Sequence, residues 1–170
     1  MLEANPGAVD TARDAITRYP AEPRVLRAAS RASFAAGRAA ESELLARVAD
    51  APDDPTALLE LGLHWSEARV IDLAVVMLER AVELSPLDAV ARSELAFCLA
   101  RAGDHARVVE VLALHPCLAT DAGALFQFGW SALEAGDAAT ARAALRQLED
   151  LADADLCARL RDAISTRVGQ

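Results

Sequence analysis

The sequence predicts an all-α fold built from paired helices, and three observations carry that expectation. Between Pro55 and Asp88 apolar and small residues follow one order over 34 residues, and the order returns elsewhere in the chain. Hydrophobic residues make up 54% of the 170, mostly Ala, Leu and Val, while only 4% are aromatic. That balance suits helices in close contact and suits a β-rich fold poorly. Helix punctuation also falls between the apolar stretches: Asp54-Pro55, Ser85-Pro86, Gly103-Asp104 and Gly136-Asp137.

Asn5-Pro6 opens a first helix and Tyr19-Pro20 closes it, with Val9, Ala12, Ala15 and Ile16 on one face. Two readings are open for this helix over 6–19. It is a half-repeat or cap, or the chain begins inside a longer array, because Leu2-Glu3-Ala4-Asn5-Pro6 has the look of the tail of a preceding repeat. Residues 23–54 form a weak copy of the unit. Pro23 opens it, Gly37 supplies the turn, and Ser30 stands where Gly62 stands in the best copy. Residues 55–88 are that best copy. Leu58-x-x-Leu61-Gly62-x-x-Trp65 marks its first helix, and Ala74-x-x-x-Leu78 with Ala81 its second. Asp54 is a suitable N-cap, and Pro55 fits the first helical position because its missing N–H would have no partner there. Gly62, Ala74 and Ala81 are small where two helices cross, so Gly62 should lie against the second helix of its own unit with no room for a side chain.

Residues 89–121 keep the first helix through Leu95-Ala96 and Leu99, and its turn through Gly103-Asp104. The second helix carries Val108, Val109, Val111 and Leu112 and should stop near Leu114, because proline at 116 removes a hydrogen bond and clashes with the preceding turn. Residues 122–153 are a clearer copy: Gly129 and Ala141 are 12 apart, as are Gly62 and Ala74. A last helix over 154–168 has Leu156, Leu160, Ala163 and Ile164 as its apolar stripe, and Arg159, Asp162 and Arg167 as its wet side. It reads as a cap on the exposed end of the stack.

The Leu-Gly-x-x-Trp and Ala-x-x-x-Leu pattern, with Ala81 and Pro86 after it, resembles the tetratricopeptide repeat. The resemblance covers about residues 23–153, with two good copies and two weaker ones. It implies a right-handed α-solenoid of antiparallel helix pairs, about four repeats with flanking helices, in a single domain over 1–170. It also implies that the first helix of each pair lines a concave groove for a peptide or helix. The positions that then face inward are Arg27 and Arg31, Leu59 and Leu63, Ser93 and Phe97, and Phe126 and Trp130. Such a groove is basic at its N-terminal end and apolar at its C-terminal end. It suits a segment with an acidic residue and a large apolar anchor, unless Phe126 and Trp130 simply pack on neighbouring helices. Some tetratricopeptide domains grip a chaperone's C-terminal carboxylate. The matching positions here are Arg27, Arg31, Leu63, Val90 and Glu94, where only the first two are basic, so that clamp is not expected.

All 17 basic residues are arginine, and the net charge is -9, which argues against broad contact with phosphates and so against nucleic acid. Residues 1–50 balance seven arginines with seven acids, and the acidic excess lies in the rest. Cys98, Cys117 and Cys157 have neither metal-ligand spacing nor an even count, which suits a reducing compartment. No signal-like segment or membrane span is apparent. The expectation is a cytoplasmic protein.

The sequence offers few candidates for chemistry. Glu60 and His64 share a helix face, a spacing that metal sites use, but no further ligand is apparent. His115-Pro116-Cys117 could pair a thiol with an imidazole, yet the helix stop already accounts for His115-Pro116. Cys98 reads as a small core residue. Arg24, Arg27 and Arg31 share a face, which is either solvated and paired with Glu22, Glu41 and Glu43 or a site for a carboxylate. No phosphate loop or catalytic signature occurs. The resemblance therefore implies a non-enzymatic interaction module without a cofactor, an adaptor, scaffold or chaperone-like protein with a protein or peptide partner. The alternative is an accessory or regulatory part of a larger enzyme or secretion complex.

Overall fold

The computed structural model describes residues 6–168, so the suggested repeat tail at residues 2–5 lies outside the described residues. Among the described residues ten helices follow in order: α1 (Pro6–Arg18), α2 (Pro23–Ala35), α3 (Ala39–Asp50), α4 (Pro55–Glu67), α5 (Ile71–Leu84), α6 (Ala89–Ala102), α7 (His105–Ala113), α8 (Ala122–Glu134), α9 (Ala138–Asp150) and α10 (Ala154–Val168). The helices cluster into two compact units, Met1–Pro86 and Leu87–Gln170.

Local chemistry sets the helix ends. The first helices of the four pairs, α2, α4, α6 and α8, each begin after an acidic N-cap whose carboxylate accepts a backbone N–H: Glu22, Asp54, Asp88 and Asp121. Each of these helices ends in the same closure, with an N–H just beyond the turn bonded back into the last helical turn. The four bonds are Arg38 to Ser33, Val70 to Trp65, Asp104 to Leu99 and Asp137 to Ala132, at 2.8–3.0 Å. The closure needs a left-handed residue. Gly37, Gly103 and Gly136 supply it in three turns, and Arg69, with φ 61°, supplies it in the fourth.

In the first unit α2 packs on α3, α3 on α4, α4 on α5, and α1 lies on α2 and reaches α5. The crossings are close where small residues meet. A Cβ on Gly62 would stand 2.7 Å from Leu78 Cγ, so the helix pair excludes any side chain there, as its place in the repeat predicts. At the matching crossing of the weak copy, the Ser30 hydroxyl lies 2.8 Å from the Ser42 carbonyl and donates to it. A polar pair thus replaces the Gly62–Ala74 contact without leaving a donor unsatisfied. Leu58, Leu61, Trp65, Met77 and Leu78 fill the core between α4 and α5 and are essentially inaccessible.

Glu41 is the polar centre of this unit. Its carboxylate is buried (4% exposed), yet it accepts from Arg13 of α1 at 3.2 Å, from Arg38 at 3.4 Å and from the buried Trp65 indole N–H at 3.1 Å. Burial pushes its pKa up, but the indole hydrogen bond and the charges of Arg13 and Arg38 outweigh that and hold it below the usual value of 4.5. The expectation that Glu41 balances the face of Arg24, Arg27 and Arg31 is therefore corrected. Glu41 faces inward, and Arg27 pairs with Asp50 instead, at 3.1 Å.

In the second unit α6 packs on α7, α7 on α8, α8 on α9, and α10 on both α8 and α9. Leu125, Ala132, Ala144, Leu148, Leu160 and Ile164 form its core. A Cβ on Gly129 would stand 2.8 Å from both Ala144 and Leu160, so this glycine accommodates the helix after its pair as well as its own partner. The helix α7 is short and ends at Ala113, ahead of Pro116. Two side chains, one from α6 and one from the following loop, make good the lost turn. Buried Arg92 donates to the Val111 carbonyl at 3.0 Å, satisfying an acceptor in the last turn of α7. Buried His115 accepts the Cys117 N–H at Nδ1 (3.1 Å), so in the neutral ring Nε2 carries the proton. That proton is directed to the Ala89 carbonyl (3.2 Å) and the Ser93 hydroxyl (3.0 Å).

Candidate functional site

Of the residues expected to line a groove, three converge. Phe97 of α6 and Phe126 and Trp130 of α8 line one groove of about 500 Å³ in the second unit. Positions 126 and 130 are four apart, so their side chains leave α8 on one face. The two rings stand 5.8 Å apart, tilted by 37°. That is within the range of favourable aromatic pairs. Phe97 is 47% exposed and Trp130 38%. By contrast, the inaccessible Trp65 shows what a core tryptophan of this chain looks like.

Two guanidinium groups cover the aromatic wall. The Arg159 guanidinium lies over the Phe126 ring, 4.7 Å from its centroid, and that of Arg101 lies 5.6 Å from the centroid of Phe97. Both distances allow cation–π attraction. Arg159 comes from α10, on the side expected to face only water. Sequence reasoning missed both arginines as site residues. The spacing of Phe97 and Arg101, four apart on α6, was a usable signal for one of them. Nothing in the sequence brings Arg159 to Phe126, because that contact depends on how α10 seats on α8.

The remaining groove candidates are placed differently. Ser93 does not line this groove, and its hydroxyl is held by His115. Leu59 and Leu63 are half-buried on α4 in the first unit, Arg27 is exposed and tied to Asp50, and Arg31 is exposed. A hollow of about 560 Å³ between α1 and α2 is lined by small residues such as Gly7, Ala12, Ala28 and Ala32, with no charged or aromatic group among the described residues of its wall.

The chemistry available in the groove is that of binding. His105 and Ser131 meet at 3.5 Å on its wall, a long contact, and among the described residues no acid lines the groove to orient the imidazole as a base. His115 has both ring nitrogens engaged, so it is not poised to activate the exposed Cys117 thiol. Glu60 pairs with Arg47 rather than joining His64 around an ion. Among the described residues no group of three or more His, Cys, Asp or Glu could hold a metal, and no helix is long and apolar enough to cross a membrane.

No family model matches the sequence, and no curated protein matches it. Solved structures do match the fold. MamA 41-end from Desulfovibrio magneticus RS-1 is similar over 86% of this chain and 93% of its own, with 16% identity and a TM-score of 0.59. A crystal structure of MamA covers 86% of this chain and 88% of its own, at 17% identity and a TM-score of 0.61. TTC0263, a thermophilic tetratricopeptide-repeat protein of Thermus thermophilus, covers 92% and 88%, at 18% identity and a TM-score of 0.55. The helix pairing, the glycine-centred crossings and these neighbours agree, and the chain has the fold of tetratricopeptide-like helical-repeat proteins.

Proposed function

We propose that this chain is a non-enzymatic protein-interaction module, in the manner of an adaptor, scaffold or chaperone-like protein, and that it binds a peptide or helical segment through the groove of Phe97, Phe126 and Trp130. One observation carries the reading. A chain with 4% aromatic residues brings three of them to a single open groove, with Phe97 and Trp130 exposed and half-buried Phe126 packed against the core. Exposed aromatic clusters of this kind supply most of the energy of protein interfaces, because each buries a large apolar area with few rotamers to fix. Half-buried Leu59 and Leu63 and the exposed Arg31 in the first unit offer a further contact surface on the same helix positions.

The test is selection of binders from a random dodecapeptide display library on the immobilised full chain. The affinity of the selected peptides is then measured for wild type, Trp130→Ala and Phe126→Ala, each checked for fold by circular dichroism. Truncating an anchor of this type costs about 2 kcal/mol or more, or roughly 30-fold in affinity. Peptides that bind both folded variants as tightly as wild type would place the interaction elsewhere.

A further inference from the structure

We propose that the groove of the second unit selects a segment carrying an Asp or Glu beside its apolar anchor, and that Arg159, with Arg101, is what reads the carboxylate. The proposal rests on the groove reading above and adds to it the chemistry of the partner.

Charge complementarity points to an acidic segment. The chain holds 26 acidic residues against 17 arginines, yet among the described residues no acid lines the groove, while two arginines and a histidine do. The groove is thus a cationic recess on an anionic molecule, and its electrostatic complement is an anion. The placement of the guanidinium groups points the same way. They stand at the ring faces, 4.7 Å from the Phe126 centroid for Arg159 and 5.6 Å from that of Phe97 for Arg101, and a guanidinium's planar set of donors matches a carboxylate. Arg159 also reaches Asp155 at 3.7 Å across one turn of α10, with both side chains more than half exposed. Such a long surface pair contributes little and yields readily to a carboxylate delivered on a bound segment.

The order of residues along the wall sets where the acid falls. An apolar side chain seated against the Phe126–Trp130 pair lies beside Arg159, which stands over the first of these rings. A residue next to the anchor is therefore the one whose carboxylate meets the guanidinium. The arginines that sequence reasoning put at the basic end of a groove, Arg27 and Arg31, lie in the first unit, and Arg27 already holds Asp50. In the second unit α10 contributes a side chain to the site as well as packing on α8 and α9.

The probes are the tightest peptide from the display selection, its analogue with every Asp and Glu changed to Asn or Gln, and the double variant Arg101→Gln/Arg159→Gln of the full chain. Both arginines are exposed, so the double variant should keep its circular dichroism spectrum. The expected result is a selected peptide with an acid next to its anchor and an analogue that binds wild type at least tenfold more weakly. The double variant should then bind the two peptides with affinities within twofold of each other. An acid-free selection, an analogue as tight as its parent, or a double variant that weakens both peptides by the same factor overturns the acid reading. In each case the groove itself still stands if Trp130→Ala abolishes binding. Selected peptides that ignore Trp130→Ala overturn the groove reading and this proposal together. A wild-type chain that sediments as a dimer and is dissociated by Trp130→Ala makes a second copy the occupant, which also overturns the proposal.

Discussion

Glu41 shows how one residue can hold three elements. Its carboxylate is fixed by Arg13 of α1, by Arg38 at the start of α3 and by the Trp65 indole of α4. Because its folded pKa lies below the ordinary 4.5, the stabilisation it gives is present above that pH and is lost as pH falls through the lower folded value. Glu41→Gln should therefore cost about 1–3 kcal/mol at neutral pH, the range for leaving buried partners poorly satisfied. Urea midpoints of wild type and variant should converge as the pH is lowered below 4.5. A gap between them that stays constant from neutral to acid pH would show that the charge is not what holds the cluster. At the α4–α5 crossing, Gly62→Leu should overpack against Leu78 and cost about 1–3 kcal/mol or more, seen as a lower melting temperature. Arg69→Gly should act in the other direction. It relieves a left-handed residue with a Cβ and should stabilise by up to ~1 kcal/mol, measurable as a higher urea midpoint.

At the scale of elements, the divergent pair is where sequence and structure part company. Pro116 makes it legible that α7 stops early, since a proline cannot continue the helix. How the gap is closed was not legible. Arg92 looks like an ordinary helix-surface arginine and His115 like part of a helix stop, because their partners, Val111 and Ala89, are 19 and 26 residues away in sequence. His115→Ala should leave the Cys117 N–H and the Ala89 carbonyl short of a partner and lower stability by about 1–3 kcal/mol. The misreading of Glu41 has the same origin: Trp65, which turns it inward, lies 24 residues on. The pattern of small and large residues marked the apolar stripe of α10 correctly, with Leu160 and Ile164 buried. Its seating on Gly129, and so the arrival of Arg159 at Phe126, follows from packing that spacing alone does not encode. Removal of residues 154–170 should expose Leu148 and Ala144. The truncated chain should then self-associate on size-exclusion chromatography and unfold at lower urea, whereas a monomer of unchanged stability would show that α10 is not needed to cover them.

For the molecule as a whole, the helix pairs and their small-residue crossings were written in local spacing, which is why likeness in fold persists to solved structures at 16–18% identity. The aromatic groove was partly legible, since Phe97, Phe126 and Trp130 all fall on the helix positions expected to face a groove; its cationic rim was not. The chain carries a built-in reporter for a partner docked in this groove. Of its two tryptophans, Trp65 is inaccessible and Trp130 is 38% exposed. Acrylamide quenching of tryptophan emission, with and without a saturating selected peptide that itself lacks tryptophan, therefore reads the groove directly. The quenchable emission of the free protein, that of Trp130, should become protected when the peptide binds. Peptide bound at saturation with quenching unchanged would contradict docking in this groove.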